Sequence, residues 1–317
     1  MPKTAIGPMK WEKQGLIYCP DGSNPWAKQY ASLPIPFLIA PKRLRIFVSF
    51  CDESMIGRVG YVDVDPNNPK HILDIASHPV LDIGKPGRFD ENGLIASSIL
   101  SSNGKIYMYY VGYQLGQKVR YYQFGGLAIS DDGGNSFYRA QETPIIDRID
   151  GESLNRTAPF VIYENGRFRM WYVGGNEWTE VNGKSLPVYN MRYLESLDGV
   201  NWTGKGKVCL DFKNKDEHVV GRPWVYKEND TYKMFLSSRT HSKGYRLGYA
   251  ESKDGLSWQR LDDKIDIDVS ETGWDSQIMA YASIFKWENK TYMFYNGNDC
   301  GRTGFGYALL SPNMLAG

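Results

Sequence analysis

Short apolar segments alternate along the chain with tight polar turns, and one such pattern recurs five times. Each copy reads as an extended segment, a turn, and a second segment in which aromatic and β-branched residues alternate with other side chains. A period of two on either side of a short turn predicts a β-hairpin with one buried face. Four copies superpose without gaps at residues 95–110, 157–172, 221–236 and 280–295, and a more divergent copy lies at residues 33–48.

A second repeated pattern comes after three of these hairpins. A strand-like segment ends near a Ser, passes through an Asp-Gly turn and resumes at an aromatic residue, which is the turn chemistry expected of a hairpin with Gly at positive φ. The copies read ISDDGGNSF, ESLDGVNW and ESKDGLSW at residues 129–137, 195–202 and 251–258. Each unit therefore contains four predicted strands, and successive units begin about 60 residues apart.

Five four-stranded units in radial repetition predict an all-β fold, a five-bladed β-propeller with antiparallel blades. The segment at residues 10–18 resembles the segments that come after the Asp-Gly turns, whereas the last unit runs out of chain soon after residue 310. We expect this N-terminal strand to complete the last blade, because closing the ring removes exposed strand edges. The prediction is a single propeller domain over residues 1–317.

Acidic residues recur in the long loops that lead into the first strand of each unit. Because five inner strands converge on one axis, we expect these loops to surround a central pit. An Asp that caps a turn is the alternative explanation for any one of the acids. Six residues before the aligned hairpin position the sequence has Asp90, Glu152, Asp216 and Asp275, while the first unit has Lys28 there and Asp21 further upstream. Polar neighbours extend the set to Glu91, Asn155, Arg156, Glu217, His218 and Arg222.

The other long loops on the same face carry aromatic and hydrogen-bonding side chains. Such groups suit a sugar, because aromatic rings stack on its apolar faces while donors and acceptors bind its hydroxyls. The arginines are able to bind a carboxylate or phosphate, or to neutralise the acids as buried ion pairs. The candidate binding residues from these loops and from the last strand entry are Arg58, Tyr113, Asn176, Glu177, Trp178, Arg239, His241, Tyr281, Asn298, Asp299 and Arg302.

Charge and cysteine content argue against several classes of function. The 37 basic and 36 acidic residues nearly cancel, so neither nucleic acid nor an anionic membrane surface is an expected partner. The four cysteines are far apart and lack the spacing of a zinc site or a disulfide framework. The sequence requires no metal or cofactor, although carboxylates at a pit also suit Ca²⁺. The N-terminus lacks the apolar core of a signal peptide, so a cytoplasmic location is expected.

Turns of the form SxDGxxW and hairpins of the form NGxYxMxY resemble those of the five-bladed glycosidase superfamily, which includes arabinanases, β-xylosidases, invertases, levansucrases and the related mannoside phosphorylases. The resemblance covers nearly the whole chain at the level of the repeats. It implies glycoside cleavage by carboxylates on the first three blades. Those families commonly place an Asp directly before a Pro in the inner strand, whereas Ala158 and Arg222 precede the Pro in this chain.

Two functional hypotheses remain, and both expect a carbohydrate or an activated sugar as ligand. In the first, the chain is a glycoside hydrolase-like enzyme that transfers a glycosyl unit to water, phosphate or another sugar. Glu152 or Glu217 would then be the general acid, and Asp90, with Glu91 beside it, the base or nucleophile. In the second, the pit binds a glycan or nucleotide sugar without cleaving it, and the arginines contact an anionic group. The recurring acids argue against a third hypothesis, a purely structural scaffold.

Overall fold

Strands make up almost all of the regular structure in a computed structural model of the chain, which describes residues 8–311. The prediction of an all-β fold is confirmed for these residues. After an N-terminal strand, β1 (Met9–Tyr18), the chain forms successive antiparallel runs of four strands. Run 1 contains β2 (Gln29–Ala40), β3 (Arg43–Cys51), β4 (Gly57–Asp65) and β5 (Asn68–Ile75). Run 2 contains β6 (Leu94–Ser102), β7 (Lys105–Leu115), β8 (Tyr121–Ser130) and β9 (Tyr138–Arg139).

Runs 3 and 4 repeat this order. Run 3 contains β10 (Asn155–Glu164), β11 (Arg167–Val181), β12 (Lys184–Ser196) and β13 (Lys207–Leu210). Run 4 contains β14 (Glu217–Glu228), β15 (Thr231–Thr240), β16 (Arg246–Ser252) and β17 (Gln259–Arg260). A 3-10 turn at Asp262–Lys264 and the short β18 (Ile265–Asp266) lead on to run 5.

Run 5 takes its fourth strand from the N-terminus. Its first three strands are β19 (Ala280–Trp287), β20 (Lys290–Asn296) and β21 (Phe305–Leu310), with the helical turn α1 (Asn298–Gly301) before β21. Strand β1 pairs antiparallel with β21, with Trp11 opposite Leu310 and Tyr18 opposite Phe305. The edge that β21 would otherwise expose is therefore paired. Within residues 8–311, no helix has the length and apolar character needed to cross a membrane.

The first strands of the runs contact one another in a closed cycle. Strand β2 contacts β6, β6 contacts β10, β10 contacts β14, β14 contacts β19, and β19 contacts β2. Short parallel pairings also join neighbouring runs, with Arg156 opposite Phe124 and Tyr189 opposite Val219. The loops that enter these first strands are consequently brought to one end of a common axis.

Each second strand contributes an aromatic ring at the same position of the repeat. These rings are fully buried and form the centres of the packing between runs. Burial of one large aromatic per repeat removes extensive apolar surface from water. The residues are Phe47, Tyr109, Trp171, Phe235 and Phe294.

The Asp-Gly turns are closed by their own side chains. In the third copy the Ser252 hydroxyl accepts the backbone N–H of Gly255, and the Asp254 carboxylate accepts the N–H groups of Leu256 and Ser257. These backbone bonds, first from Ser257 and then from Leu256, lower the pKa of Asp254 to about 2. The indole of Trp258 donates to the Gly255 carbonyl at 3.0 Å. The SxDGxxW motif is thus accounted for by the turn itself.

The repeat in run 1 differs from the predicted alignment by one residue. Ser32 lies opposite Ser49, as Gly221 lies opposite Ser237 in run 4, so the copy begins at Ser32 rather than at Leu33. A bulge at Ile39, just before the hairpin turn, restores the alignment in the second strand. The one-residue shift at the start of the copy and the extra residue at Ile39 cancel, so a gapless alignment of the sequences detects neither.

Three hydrogen bonds join neighbouring runs in the same way: a polar side chain on the second strand of one run accepts a backbone N–H of the next run. Ser49 accepts from Ala96 at 3.1 Å, and Ser237 accepts from Tyr281 at 2.8 Å. Asn296 closes the cycle, because its carbonyl oxygen accepts from Leu33 of run 1 at 2.7 Å. Its amide group also donates to the carbonyls of Ala31 and Gly304.

We expect Asn296→Ala to destabilise the fold by about 2–3 kcal/mol, since three buried backbone groups would lose their partner. Urea unfolding followed by tryptophan fluorescence measures the change. Asn289→Ala, at an exposed turn of the same run, is the matched control and should stay within about 0.5 kcal/mol of the unmodified protein. Equal midpoints for the two variants would show that Asn296 does not fasten run 5 to run 1.

Candidate functional site

The recurring loop acids are buried and paired with cations. Asp90 and Glu152 are 0% exposed, Asp275 is 2% exposed and Glu217 is 7% exposed. The cation lies on the outermost strand of the same run in three cases: Arg139 for Asp90 at 2.7 Å, Arg260 for Glu217 at 3.1 Å and Lys13 for Asp275 at 2.8 Å. Glu152 instead pairs with Arg156 and with Arg192 of β12, at 2.9 and 3.0 Å.

A tyrosine from the second strand completes three of these sites. The hydroxyls of Tyr110, Tyr172 and Tyr295 donate to Asp90, Glu152 and Asp275 at 2.7–3.0 Å. The three tyrosines occupy equivalent positions of the repeat, where run 4 has Leu236 instead. Each carboxylate therefore ties the loop that enters a first strand to two other strands of the same run.

The acid of run 4 that occupies this position is Glu217, not Asp216 as the sequence alignment predicts. Asp216 is partly exposed and accepts the hydroxyl of Ser242, which lowers the pKa of this carboxyl. Glu217 also accepts the backbone N–H of Lys213 at 2.6 Å. The one-residue difference arises in the length of the loop, which the hairpin alignment does not constrain.

Several other predicted site residues already have hydrogen-bond or ion-pair partners within the protein. Glu91 accepts the N–H of Gly87, and Asp21 accepts the N–H and hydroxyl of Ser23, as in the turn-cap alternative. Arg58 pairs with Asp52 and Asp82, both at 2.7 Å. Arg156 spans Glu152 and the carbonyls of Asp147 and Gly204, and Asn298 bonds the N–H groups of Gln277 and Ile278. Arg302 is exposed.

A bulge interrupts each first strand near its entry, where the strands of the cycle converge. Four of the bulged residues have a left-handed backbone, with φ between 51° and 63°. Non-glycine residues rarely adopt such a conformation unless surrounding structure enforces it. Three of them precede a Pro, which is where the resembling families place an Asp, but none of the five bulges carries a carboxylate. The bulged positions are Leu33, Ser97, Ala158, Arg222 and Tyr281.

Aromatic side chains from runs 2 to 5 gather beside these bulges. Tyr121 of β8 packs against Tyr113 and Trp178, with ring centres 5.5 and 5.3 Å apart. The hydroxyls of Tyr189 and Tyr245 lie 3.2 Å apart, and the ring of Tyr245 is 5.6 Å from that of Tyr281. All except Tyr245 are partly exposed. We call the group the aromatic cluster: Tyr113, Tyr121, Trp178, Tyr189, Tyr245 and Tyr281.

Run 4 lines one side of the aromatic cluster with basic side chains. The guanidinium carbon of Arg239 is 5.6 Å from the ring centre of Tyr245, and the rings of His218 and His241 are 5.0 Å apart. Burial lowers the pKa of His218, so its imidazole is neutral near pH 7. Its Nδ1 faces the Pro187 carbonyl at 3.4 Å, which assigns the proton to Nδ1 and leaves Nε2 as an acceptor.

Buried polar atoms near the strand entries lack partners among residues 8–311. They include both side-chain polar atoms of Asn155, the hydroxyl of Thr157, His218 Nε2, the indole nitrogen of Trp178 and the whole guanidinium of Arg222. Buried polar groups are normally hydrogen-bonded, so a concentration of such atoms marks a place where a polar ligand or water is accommodated.

Two cavities of about 310 and 480 Å³ lie apart from this cluster, beside Arg246 and beside Arg88 respectively. The arginines that these cavities are named by are each paired, Arg246 with Asp268 and Arg88 with Glu142. Neither cavity shares the partnerless polar groups. Within residues 8–311, no three His, Cys, Asp or Glu side chains are grouped so as to hold a metal ion.

Sequence reasoning missed Tyr121, Tyr189 and Tyr245 as members of the site. Tyr121 begins β8, Tyr245 directly precedes β16, and Tyr189 lies within β12 at the position equivalent to Tyr245. A superposition of the third strands would have revealed this repetition. Tyr113, Trp178, Arg239, His218, His241, Arg222 and Tyr281 were predicted, and these residues do come together.

Relatives of the chain are found among mycobacterial proteins, although no protein-family model matches it. The proteins Rv1502 and MT1551, from the H37Rv and CDC 1551 strains of Mycobacterium tuberculosis, are both described as uncharacterized. Each is 34% identical over 302 residues, which cover 95% of this chain and 99% of the relative. The chain belongs to their family. Identity over nearly the full length of both proteins indicates that the whole fold is shared within it.

Several solved structures resemble this chain at the level of the fold. A glycosyl hydrolase from Bacteroides ovatus superposes with a TM-score of 0.74 at 15% identity, over 99% of this chain and 96% of its own. A structure reported for the GH130 family of mannoside phosphorylases gives 0.72 at 16% identity, over 99% and 96%. A thermostable family-43 glycoside hydrolase gives 0.68 at 15% identity, over 90% and 91%. These neighbours confirm the resemblance to the glycosidase superfamily at the level of the fold.

We expect Glu217→Gln to destabilise the fold by about 1–3 kcal/mol, because Arg260 would lose one of its two carboxylate partners and keep only Asp262. Asp216→Asn, one residue away, should change stability by no more than about 0.5 kcal/mol, since its side chain is 45% exposed. Urea unfolding of the two variants makes the comparison. A larger loss of stability for Asp216→Asn than for Glu217→Gln would show that Asp216 is the buried, paired acid of run 4, as the sequence alignment predicts.

Proposed function

We propose that the chain is one five-bladed β-propeller in which each antiparallel run is a blade. The closed cycle of first-strand contacts and the pairing of β1 with β21 support this arrangement. In it, the five bulged entries surround the axis and the aromatic cluster covers one side of the opening. The remaining residues, 1–7 and 312–317, lie outside the described part of the chain.

The proposed function is recognition of a saccharide at the aromatic cluster. The observation that carries it is the combination of partly exposed rings from several runs with buried, partnerless hydrogen-bonding groups at the same strand entries. Tyr121 and Trp178 would stack on the apolar face of a sugar ring. Asn155, Thr157 and His218 Nε2 would bond its hydroxyls, which need both donors and acceptors.

Binding without cleavage fits this arrangement better than glycoside hydrolysis. Cleavage by the usual mechanisms needs two carboxyl groups that flank the scissile bond, about 5–9.5 Å apart. Asp90, Glu152 and Glu217 are instead buried in ion pairs, and Glu91 closes a local turn. To reach a substrate, such a carboxylate would have to break its buried ion pair. Breaking the pair is energetically costly, because it leaves the cation buried without a counter-charge.

Glycosyl transfer by these acids is the second candidate, and two observations favour it. The solved structures that share the fold include glycoside hydrolases and a member of a phosphorylase family. In addition, Asp90 Oδ1 is buried and has no hydrogen-bond partner among residues 8–311. Asp90 would then be the base or nucleophile and Glu152 or Glu217 the acid, with water, phosphate or a second sugar as acceptor.

Binding is tested by isothermal titration and saturation-transfer NMR with glucose, galactose, mannose, arabinose and their short oligosaccharides. We expect at least one of these sugars to bind, and Trp178→Ala to weaken it about tenfold through loss of stacking, equivalent to about 1.4 kcal/mol. Tyr163→Ala, which removes an exposed ring from the β10–β11 hairpin, should leave the affinity unchanged. Binding that resists Trp178→Ala, or no binding by any sugar, would overturn the assignment to this cluster.

Cleavage is tested with a panel of 4-nitrophenyl glycosides, with and without inorganic phosphate. We expect no release of nitrophenol above that of the buffer, and we expect Asp90→Asn to lower the melting temperature, because it breaks the pair with Arg139. Release that Asp90→Asn abolishes while melting stays unchanged would reject the binding-only function and establish the second candidate.

A further inference from the structure

Arg222 stands directly before Pro223, where the resembling glycosidase families commonly place an Asp. It lies at the first-strand bulge of run 4, has a φ of 52° and is 4% exposed. None of its three guanidinium nitrogens has a hydrogen-bond partner among residues 8–311. A guanidinium carries five N–H donors in a fixed planar fork. At Arg222 the described residues accept none of these five hydrogen bonds.

Other buried arginines of the same fold are fully compensated. Arg45, which is 2% exposed, pairs with Asp63 and donates to Gly134 and Asn135. Arg156, which is 3% exposed, pairs with Glu152 and donates to two backbone carbonyls. Arg45 and Arg156 thus each have a carboxylate partner, whereas Arg222 has none among residues 8–311.

Burial in fact lowers the pKa of Arg222 to about 10, and the one opposing contribution comes from Tyr281. The side chain still carries its positive charge at neutral pH. No carboxylate contributes to the shift, in contrast to the paired acids of the neighbouring loops. An uncompensated buried charge costs several kcal/mol, which a protein retains at a functional position when a ligand supplies the counter-charge.

We infer that Arg222 is an oxyanion-binding residue and that the saccharide recognised by this chain bears a carboxylate or a phosphate group. The inference rests on the proposed function for the identity of the ligand as a sugar. Arg is suited to the task because its fork makes two parallel hydrogen bonds to a carboxylate or phosphate. The oxyanion would lie at the bulge of run 4, and the sugar ring would extend over the aromatic cluster.

The surroundings of Arg222 favour an anion further. Arg239 and His241 belong to the same run, and Arg239 borders Tyr245 of the aromatic cluster. The carboxylate beside His241 is Asp216, which is partly exposed and already accepts the hydroxyl of Ser242. Arg222 and Arg239 therefore bring two positive charges to the side of the cluster formed by run 4, which would favour an anion there.

Matched pairs of ligands test the inference by isothermal titration. The probes are glucuronate against glucose, galacturonate against galactose, and glucose 1-phosphate against both glucose and inorganic phosphate. We expect the anionic member of at least one pair to bind about tenfold or more tightly than its neutral partner. Arg222→Gln should bring that ratio to about one, and Arg222→Lys should restore part of it.

Arg167→Gln is the matched control, because it removes an exposed arginine from the distant β10–β11 hairpin and should leave the ratio unchanged. Equal affinities within every pair, or a preference that survives Arg222→Gln, would overturn the inference. Neutral sugars that bind and depend on Trp178 would still uphold the proposed function in that case. Phosphate that binds through Arg222 while no sugar binds would instead uphold the oxyanion site with the free anion as its source, and would reject the saccharide.

Thermal melting of the ligand-free protein gives an independent test. We expect Arg222→Gln to melt at a higher temperature than the unmodified protein, because it removes an uncompensated buried charge. Arg156→Gln should melt at a lower temperature, because it breaks a compensated one. A fall in melting temperature for Arg222→Gln as large as that for Arg156→Gln would mean that the folded protein satisfies this guanidinium by itself, and the inference would fail.

Discussion

Buried carboxylates in runs 2 to 5 tie the start of each run to other strands of the same run, and the arrangement of the strand entries depends on them. The loops that enter these first strands pack apolar residues such as Phe89 and Ile146 into the core, and a buried ion pair also holds each of them in place. In runs 2, 3 and 5 a tyrosine hydroxyl adds to the ion pair. The pairs of Asp90, Glu217 and Asp275 all reach to the outermost strand of their run. Removing one partner of such a pair leaves the other charge buried without compensation, which makes the arrangement cooperative.

Fixed loops allow strained backbone at the strand entries. Ala158, Arg222 and Tyr281 have left-handed conformations, and at Tyr281 a hydrogen bond to Ser237 of the preceding run holds the backbone. This backbone aligns side chains from different runs beside the aromatic cluster. In the proposed function, the same acids that suggested catalysis in the sequence therefore serve the site indirectly, by positioning it.

Much of the fold was predictable because the repeat signal is local. Asn-Gly and Asp-Gly turns and the period of two in the second strands identify hairpins from a few adjacent residues. The bulges were not predictable, since a one-residue shift at Leu33 is offset by another at Ile39 and leaves no trace in a gapless alignment. The candidate site was harder to predict, because a recurring carboxylate reads the same in a sequence whether it faces solvent or an arginine 49 residues away, as Asp90 faces Arg139. Half of the aromatic cluster was recognised from the sequence, including Trp178, whose indole has little structural reason to be partly exposed. Tyr121, Tyr189 and Tyr245 were missed, because the third strands were not superposed.

The pairing of β1 with β21 joins two strands that lie at opposite ends of residues 8–311. Lys13 of β1 also compensates Asp275, which holds the loop that leads to Tyr281. On the ribosome, the final run therefore lacks both its outer strand and its counter-charge until β21 has emerged and β1 has returned to it. We expect this step to be slow, because the contact between β1 and β21 requires closure of a long loop. An incomplete chain exposes an unpaired strand edge rather than a partly formed site.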